Sequence, residues 1–318
     1  MKRSLISTML LGIVLLLSAA KAIESPIIAV IAQPTDYRYP PYPEKQTYIA
    51  ASYVKYIESA GARVVALDSR TPESEWKKVL NQVNGVLFPG GGIILVDDDG
   101  VPTEYQNFTA KIVEYVKKIN SEGSVFPLMG ICLGYENIAI AEGLPLNNVL
   151  VRNKAIPLYR TKRFIGSQMF YRVSDNIKLS IKEERNLGFH NHRNSFWLND
   201  FYNQSISSIS DEYIVTTVSK LEDREFVNTF EHISYPIFAS MFHPEKPMFE
   251  HKVSTIPYDR YIVKFSQHIV DEFIDIARRS SHTFETEKAE FDALIYNDVV
   301  TDTRSDAHKA FTQIYYYD

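Results

Sequence analysis

The residue most able to do covalent chemistry is Cys132, the only cysteine in the chain, which follows a short apolar run and precedes a helix-forming segment. Glycines at 130 and 134 flank it, a spacing typical of a tight strand-to-helix turn with a strained, exposed residue at its tip. The helix N-terminus favours a thiolate at that tip, and the N–H of Leu133 points to where an oxyanion would form. We therefore predict a nucleophile elbow with Cys132 as nucleophile. The alternative is a core cysteine that packs like a small hydrophobe.

A second pair of candidate residues follows the apolar run 235–242, which predicts a buried strand. His243 comes directly after this run and Glu245 two residues later. Residues two apart on an extended chain point the same way, so the Glu245 carboxylate can orient the His243 ring. If this strand ends at the sheet edge that carries Cys132, the three residues form a Cys-His-Glu triad. The alternative is a His-Pro turn with a surface glutamate.

Two further motifs have weaker signals. The glycines at 90–92 follow an apolar run but lack the features of a P-loop or a dinucleotide fingerprint, which excludes nucleotide binding. We expect Gly91 to supply a second oxyanion donor, with a plain turn as the alternative.

His190 and His192 lie in a predicted loop without the Cys or Asp cluster that would complete a metal site, so no metal is predicted. A loop histidine here either lines the cleft or is simply exposed.

Apolar runs alternate with helix-forming segments along the first half of the chain, which predicts an α/β fold with a doubly wound, mostly parallel sheet and flanking helices. The catalytic residues are then expected at the carboxyl ends of the strands. Residues 149–219 predict antiparallel strands and long loops, 261–279 a long helix, and 282–318 a short strand or extended arm. The predicted strands are 27–32, 63–67, 85–88 and 125–129, and the predicted helices are 48–60, 72–82, 105–120 and 135–142.

The first residues have the pattern of a secretory signal peptide: basic residues, an apolar stretch over 5–17, and Ala-Lys-Ala at 20–22. The stretch is short for a membrane span, so an uncleaved anchor is the weaker alternative. We predict removal of 1–22 and a single domain over 23–318, in the secretory pathway, the lysosome or vacuole, or outside the cell. Cleavage removes three basic residues and no acidic ones, which makes the net charge of −5 more negative. We therefore expect no nucleic acid and no membrane as partner.

Two glycosylation sequons, at Asn107 and Asn203, fit this route and would lie on the surface if used. A lone cysteine cannot form an internal disulfide, so the core must hold the fold. In an oxidising compartment such a thiol is expected to be present for its reactivity, with an intermolecular disulfide as the alternative.

Together these motifs resemble those of the γ-glutamyl hydrolases, the folylpolyglutamate-cleaving members of the class I glutamine amidotransferase-like superfamily. The resemblance covers nearly the whole mature chain. It departs after His190, where Asn-His-Arg replaces the usual Lys-Trp and leaves the contacts with the substrate end open. The segments that carry the resemblance are 48–65, 87–91, 130–136, 189–190, 243–246 and 293–296.

The resemblance implies an omega peptidase that hydrolyses γ-glutamyl bonds in folyl or antifolyl poly-γ-glutamates through a γ-glutamyl thioester, without a cofactor, as a homodimer. It implies these roles: nucleophile Cys132, general acid/base His243, third member Glu245, oxyanion donors Leu133 and Gly91, and cleft residues Glu136 and His190.

Three other functions remain open. A glutamine amidotransferase-type glutaminase shares the triad but would need a synthetase partner and a cytosolic address. A catalytically silent binding protein could use the same fold, and a general cysteine peptidase would cleave ordinary peptides. Because the implied substrate is polyanionic and the protein is acidic, we expect a local basic patch at the cleft. Its candidates are Arg152, Lys154, Arg160, Lys162, Arg163, Arg193 and Lys246.

Overall fold

The computed structural model describes residues 23–35, 46–305 and 311–318, so the predicted signal peptide lies outside the described residues. The strands are β1 (Ile27–Pro34), β2 (Thr47–Ala50), β3 (Arg63–Asp68), β4 (Gly85–Phe88), β5 (Leu128–Ile131), β6 (Asn147–Ile156), β7 (Tyr159–Arg160), β8 (Gly188–Ser195), β9 (Tyr213–Leu221), β10 (Arg224–His232), β11 (Ile237–Ser240), β12 (Val300–Asp302) and β13 (Gln313–Tyr317). The helices are α1 (Ala51–Glu58), α2 (Glu73–Leu80), α3 (Glu104–Ser121), α4 (Leu133–Ala141), α5 (Asp175–Lys182), α6 (Leu198–Phe201), α7 (Ile209–Glu212), α8 (Lys246–Phe249), α9 (Arg260–Ala277) and α10 (Glu287–Ala293).

One large sheet forms the centre of the molecule, in the order β12-β13-β2-β1-β4-β5-β11-β10-β9-β7, with β3 also paired to β1. Strands β3, β1, β4, β5 and β11 are parallel to one another. Strands β10, β9 and β7 continue the sheet in antiparallel fashion. The predicted α/β fold with a mostly parallel sheet and flanking helices is confirmed. The carboxyl ends of β4, β5 and β11 meet at one edge, where ligands of such sheets bind.

The alternation of side chains along β1 builds two cores. Ile28 and Val30 pack on one face with residues of α1 and α9, whereas Ile27 and Ala29 pack on the other face with residues of α3 and α4. A strand that is buried on both faces has no polar side, which explains its continuous apolar sequence. Among the described residues, no helix is long and apolar enough to cross a membrane.

One predicted helix boundary was wrong. The segment 48–60 was expected to be a single helix, but Thr47–Ala50 forms β2 and the helix begins at Ala51. Strand β2 lies between the end of β1 and β13, antiparallel to both. The backbone groups of β2 are therefore satisfied by strands distant in sequence, an arrangement that local periodicity does not reveal. The predicted strand in the tail is present as β12 and β13, and helix α10 precedes them.

Candidate active site

Strand β5 passes directly into helix α4 through Cys132. The strand ends at Ile131 and the helix begins at Leu133, while Cys132 has φ 54° and ψ −102°. A non-glycine residue in this region is strained by roughly 1–3 kcal/mol and persists only where its surroundings hold it. The N–H of Cys132 donates to the carbonyl of Ser240 at the end of β11, at 2.7 Å, and this bond helps to hold the turn.

The glycines on either side of Cys132 are required because backbone closes over them. A Cβ at Gly130 would overlap the Gly134 carbonyl oxygen and lie 2.7 Å from Ile138 Cδ1. A Cβ at Gly134 would overlap the carbonyl oxygen of Phe88 and lie 2.7 Å from its Cβ. No side-chain rotation relieves a clash with backbone. The chain thus makes the tight strand-to-helix turn that this glycine spacing predicts.

His243 and Glu245 lie just beyond β11, the strand beside β5. His243 Nδ1 is 2.8 Å from Glu245 Oε1, and the exposed fractions of the two residues are 4% and 0%. The backbone N–H of His243 donates to the backbone carbonyl of Phe189 on β8, at 2.8 Å. Because the carboxylate accepts at Nδ1, the ring carries its proton there and Nε2 can act as a base.

The loop after β4 places Gly90 beside both Cys132 and His243. A Cβ at this position would overlap the Tyr53 hydroxyl, and it would lie 2.9 Å from His243 Cε1 and 3.2 Å from Cys132 Cβ. Three side chains from α1, the elbow and the end of β11 therefore surround one α-carbon. A methyl group there would contact Cys132 and His243 at the same time.

Gly91, the predicted oxyanion donor, packs against a different neighbour. A Cβ on it would overlap Gln33 Oε1 and lie 2.5 Å from Gln33 Cδ. Gln33 Nε2 also donates to the Gly90 carbonyl at 2.8 Å, so the β1 side chain fixes this loop. The structure brings Gly90 next to Cys132, and the donor role of Gly91 stays a prediction.

Tyr53 is a site residue to which the sequence pattern gave no role. Its hydroxyl lies 3.4 Å from His243 Nδ1, and the side chain is fully buried on α1. Burial raises its pKa, and the charge of Glu245 raises it further, so the phenol stays neutral. An aromatic residue at helical spacing has the pattern of a core residue, which is why only the structure reveals this contact.

The charge state of the resting pair differs from the expected thiolate. Burial raises the pKa of the Cys132 thiol, as do the carboxylates of Glu136 and Glu245, while Lys246 and the Leu133 N–H act in the opposite direction. Burial also lowers the pKa of His243, against the effect of Glu245. The exposed position predicted for this residue was wrong: Cys132 is 3% exposed, and the loss of hydration opposes the effect of the helix N-terminus on the thiol pKa. The pair rests as thiol and neutral imidazole.

The two residues expected to line the cleft are both buried. Glu136, in the first turn of α4, is 6% exposed, and burial raises the pKa of its carboxyl to about 8. His190 lies on strand β8, so its predicted loop position was wrong: β8 pairs with β6, where Lys154 stands opposite His190. His190 Nδ1 is 3.0 Å from His192 Nε2, and burial lowers the pKa of both rings.

The basic residues proposed for the cleft fall into two groups. Lys246 is only 6% exposed. The other six lie at the surface: Arg152, Lys154, Arg160, Lys162, Arg163 and Arg193. Over the described ranges of the chain, no group of three or more His, Cys, Asp or Glu side chains is placed to hold a metal ion.

The two sequons differ in accessibility. Asn107 is exposed on α3, but Thr109 is fully buried and its hydroxyl donates to the carbonyl of Gln106 at 3.0 Å. Asn203 and Ser205 are both exposed in the segment between α6 and α7.

Solved structures of other proteins share this fold. A glutamine amidotransferase from Thermotoga maritima superposes on this chain with a TM-score of 0.50 at 11% identity, over 81% of this chain and 100% of its own, a likeness that shows the shared fold. The γ-glutamyl hydrolase of Mus musculus is 34% identical, over 85% of this chain and 83% of its own length. γ-Glutamyl hydrolase B of Dictyostelium discoideum is 31% identical, over 92% and 83%, and the γ-glutamyl hydrolase of Homo sapiens is 32% identical, over 78% and 77%.

A family model described as Peptidase C26 matches residues 26–245. The chain therefore belongs to the Peptidase C26 family of cysteine-dependent hydrolases.

Proposed function

We propose that this protein hydrolyses γ-glutamyl bonds in folylpoly-γ-glutamates and related poly-γ-glutamates, with Cys132, His243 and Glu245 as its catalytic triad. The observation that carries the proposal is that Cys132 and His243 both lie next to Gly90. The 2.8 Å bond from His243 to Glu245 supports the same roles. The similarity to proteins named γ-glutamyl hydrolase supports the substrate.

In the acylation step, His243 Nε2 accepts the thiol proton as Sγ of Cys132 attacks the γ-carbonyl carbon. The carbon–sulfur bond forms and the carbonyl π electrons move to oxygen. As the tetrahedral species collapses, the carbon–nitrogen bond breaks and the leaving amine takes the proton from His243. The γ-glutamyl group remains on Cys132 as a thioester.

In the deacylation step, His243 takes a proton from water, and the resulting hydroxide attacks the thioester carbon. The carbon–sulfur bond breaks, the γ-carboxylic acid is released, and Cys132 recovers its proton from His243. The Glu245 carboxylate stabilises the imidazolium that forms in both steps. We assign the oxyanion to the N–H groups of Leu133 and Gly91 and the glutamyl group to Glu136 and His190.

The resting charge state supports coupled proton transfer. Because the Cys132 thiol and the His243 ring both rest neutral, the proton moves as the sulfur attacks, without a preformed ion pair. A carboxyl with a pKa of about 8, as on Glu136, is protonated below that pH and can donate a hydrogen bond to a carboxylate of the substrate.

One observation favours a second candidate, the silent binding protein: Cys132 is only 3% exposed, which limits access of a substrate to its thiol. The test is a panel of four substrates given in parallel: folyl-poly-γ-glutamate, α-linked polyglutamate, an ordinary peptide, and glutamine. We expect products from the γ-linked chain and none from the α-linked chain or the peptide. Ammonia from glutamine as the main product would support a glutaminase. No product from any substrate between acidic and neutral pH would support the binding protein.

We also propose that residues 1–22 are removed during secretion and that the mature protein acts as a homodimer in the lysosome or vacuole, or outside the cell. The pattern of the first residues and the two sequons support the route. Sequencing the N-terminus of the secreted protein and measuring its mass by light scattering test both parts.

A further inference from the structure

Lys246 is a buried cation at the first position of α8, directly after the triad residue Glu245. The residue is 6% exposed, and its Nζ lies 4.7 Å from the centre of the Phe311 ring. Across the part of the chain that the structure describes, Lys246 takes part in no ion pair, whereas many surface lysines do. Its ammonium group makes a cation–π contact with the Phe311 ring.

The side chain of Lys246 is largely covered, yet its ammonium nitrogen is not among the fully buried polar atoms, so it keeps some contact with solvent. A neutral residue of similar volume would fill the same space with a smaller loss of hydration. The charge of Lys246 also lowers the pKa of Cys132 and of Glu245, so the ammonium acts on the groups of the catalytic site. A cation without an ion-pair partner that acts on the groups of the site indicates that an anion binds to it beside the triad.

We propose that Lys246 binds a carboxylate of the substrate next to the scissile bond. The inference rests on the proposed function and adds a determinant of specificity to it. In a γ-linked chain the glutamyl unit on the leaving side keeps a free α-carboxylate one carbon from the scissile nitrogen. In an α-linked chain that group is an amide, and the free carboxylate lies at the end of the side chain. A cation that binds the carboxylate next to the scissile nitrogen therefore favours the γ-linked backbone.

Burial explains why Lys246 is better suited to this role than the other candidates. Attraction between opposite charges is stronger where water is excluded, and it is screened by solvent and salt at the surface. The other six basic candidates are exposed, Lys162 among them. They can attract a polyanion from solution, but they provide weaker discrimination at the reacting bond.

The first test compares alkylation of Cys132 by iodoacetate and by iodoacetamide, and it does not require hydrolysis. The two reagents share a leaving group and differ in charge. We expect Lys246→Met to lower the ratio of the iodoacetate rate to the iodoacetamide rate about tenfold, a change that corresponds to one carboxylate contact of about 1.4 kcal/mol. An effect on the Cys132 thiol itself would change both rates equally and leave the ratio unchanged.

Controls separate this role from a structural one. Lys78→Met, at an exposed lysine on α2, should keep the wild-type ratio, and Lys246→Arg should keep most of it because the charge remains. The melting temperature of each variant shows that the folded protein is being compared. If Lys246→Met does not fold, Lys246→Arg is compared with Lys246→Gln. An equal ratio in the wild type and the neutral variant would overturn the proposal.

The second test uses a γ-linked substrate and its α-carboxamide analogue. We expect the wild type to prefer the carboxylate through a lower KM, and Lys246→Met to lose this preference with a smaller change in kcat. An equal loss on both substrates would overturn the proposal in favour of a role in thiol activation. If the wild type cleaves neither substrate, the proposed function fails, and the alkylation ratio still decides whether Lys246 binds a carboxylate.

Discussion

His243 and Glu245 form a buried hydrogen-bonded pair, with 2.8 Å between Nδ1 and Oε1. Glu245 is enclosed completely, and although burial raises the pKa of its carboxyl, its interactions with the His243 ring lower that pKa overall. The carboxylate therefore stays ionised and holds the ring proton at Nδ1, which directs Nε2 to proton transfer.

Replacing this carboxylate by an amide should change both the rate and its pH dependence. We expect Glu245→Gln to lower kcat/KM by about 10²–10⁴-fold, because the ring loses its preferred tautomer and the imidazolium loses its counter-charge. Glu245 raises the pKa of His243, so its loss lowers that pKa and the neutral ring persists to lower pH. The acid limb of kcat/KM should then move to lower pH. The control Glu225→Gln, at an exposed carboxylate, should leave the acid limb of the pH profile unchanged. An unchanged acid limb in Glu245→Gln would contradict the hydrogen-bonded pair of His243 and Glu245.

Adding one methyl group at Gly90 should block the site. A Cβ there lies 2.9 Å from His243 Cε1 and overlaps the Tyr53 hydroxyl. We expect Gly90→Ala to lower kcat/KM by at least about 100-fold, since small displacements of a reacting pair are costly. Gly166→Ala is the matched control, because its Cβ would meet nothing within 4 Å. Comparable values of kcat/KM for the two variants would show that Gly90 does not lie next to the reacting groups of Cys132 and His243.

The buried carboxyl of Glu136 should make stability fall as pH rises. Its pKa is raised from 4.5 to about 8 in the folded chain, so between these values the folded state holds a proton that the unfolded state has lost. Glu136→Gln removes this difference. We expect the variant to be more stable than the wild type at pH 8, by on the order of 4 kcal/mol, and the gap to close below about pH 4.5.

Urea unfolding across that pH range measures the effect, with Glu114→Gln as the control at an exposed carboxylate. A gap that is the same at acidic and alkaline pH would mean that the Glu136 carboxyl does not change its charge on unfolding.

The sequon at Asn203 should be used in preference to that at Asn107. Asn203 and Ser205 are exposed, whereas the hydroxyl residue of the other sequon, Thr109, is buried in α3. We expect Asn203→Gln to remove a glycan from the protein secreted by a eukaryotic cell and Asn107→Gln to leave the mass unchanged. Mass spectrometry after release of N-glycans measures both. A glycan on Asn107 alone would contradict the prediction.

Local sequence patterns were sufficient to predict the elements that carry Cys132 and His243. Both follow apolar runs that become neighbouring parallel strands, β5 and β11. The glycines around Cys132 predict the turn because backbone contacts forbid a side chain there. These features depend on residues close together in the chain, which is why a sequence reveals them.

Features that depend on distant partners could not be predicted. Strand β2 is a strand because β1 and β13 pair with it, and His190 is on a strand because β6 pairs with β8. The neutral state of the Cys132 thiol depends on its burial and on the carboxylates of Glu136 and Glu245, which no local pattern specifies. The contact between Tyr53 and His243 likewise joins residues 190 positions apart.

The central claim is that Cys132 is the nucleophile for a γ-linked bond. The most direct test is the rate of glutamate release from folyl-poly-γ-glutamate by the wild type, Cys132→Ala and Cys132→Ser, with melting temperatures measured in parallel. We predict cleavage by the wild type and a loss of at least about 10³-fold in both variants at unchanged melting temperature. Cleavage by Cys132→Ala at a rate near that of the wild type would contradict the claim.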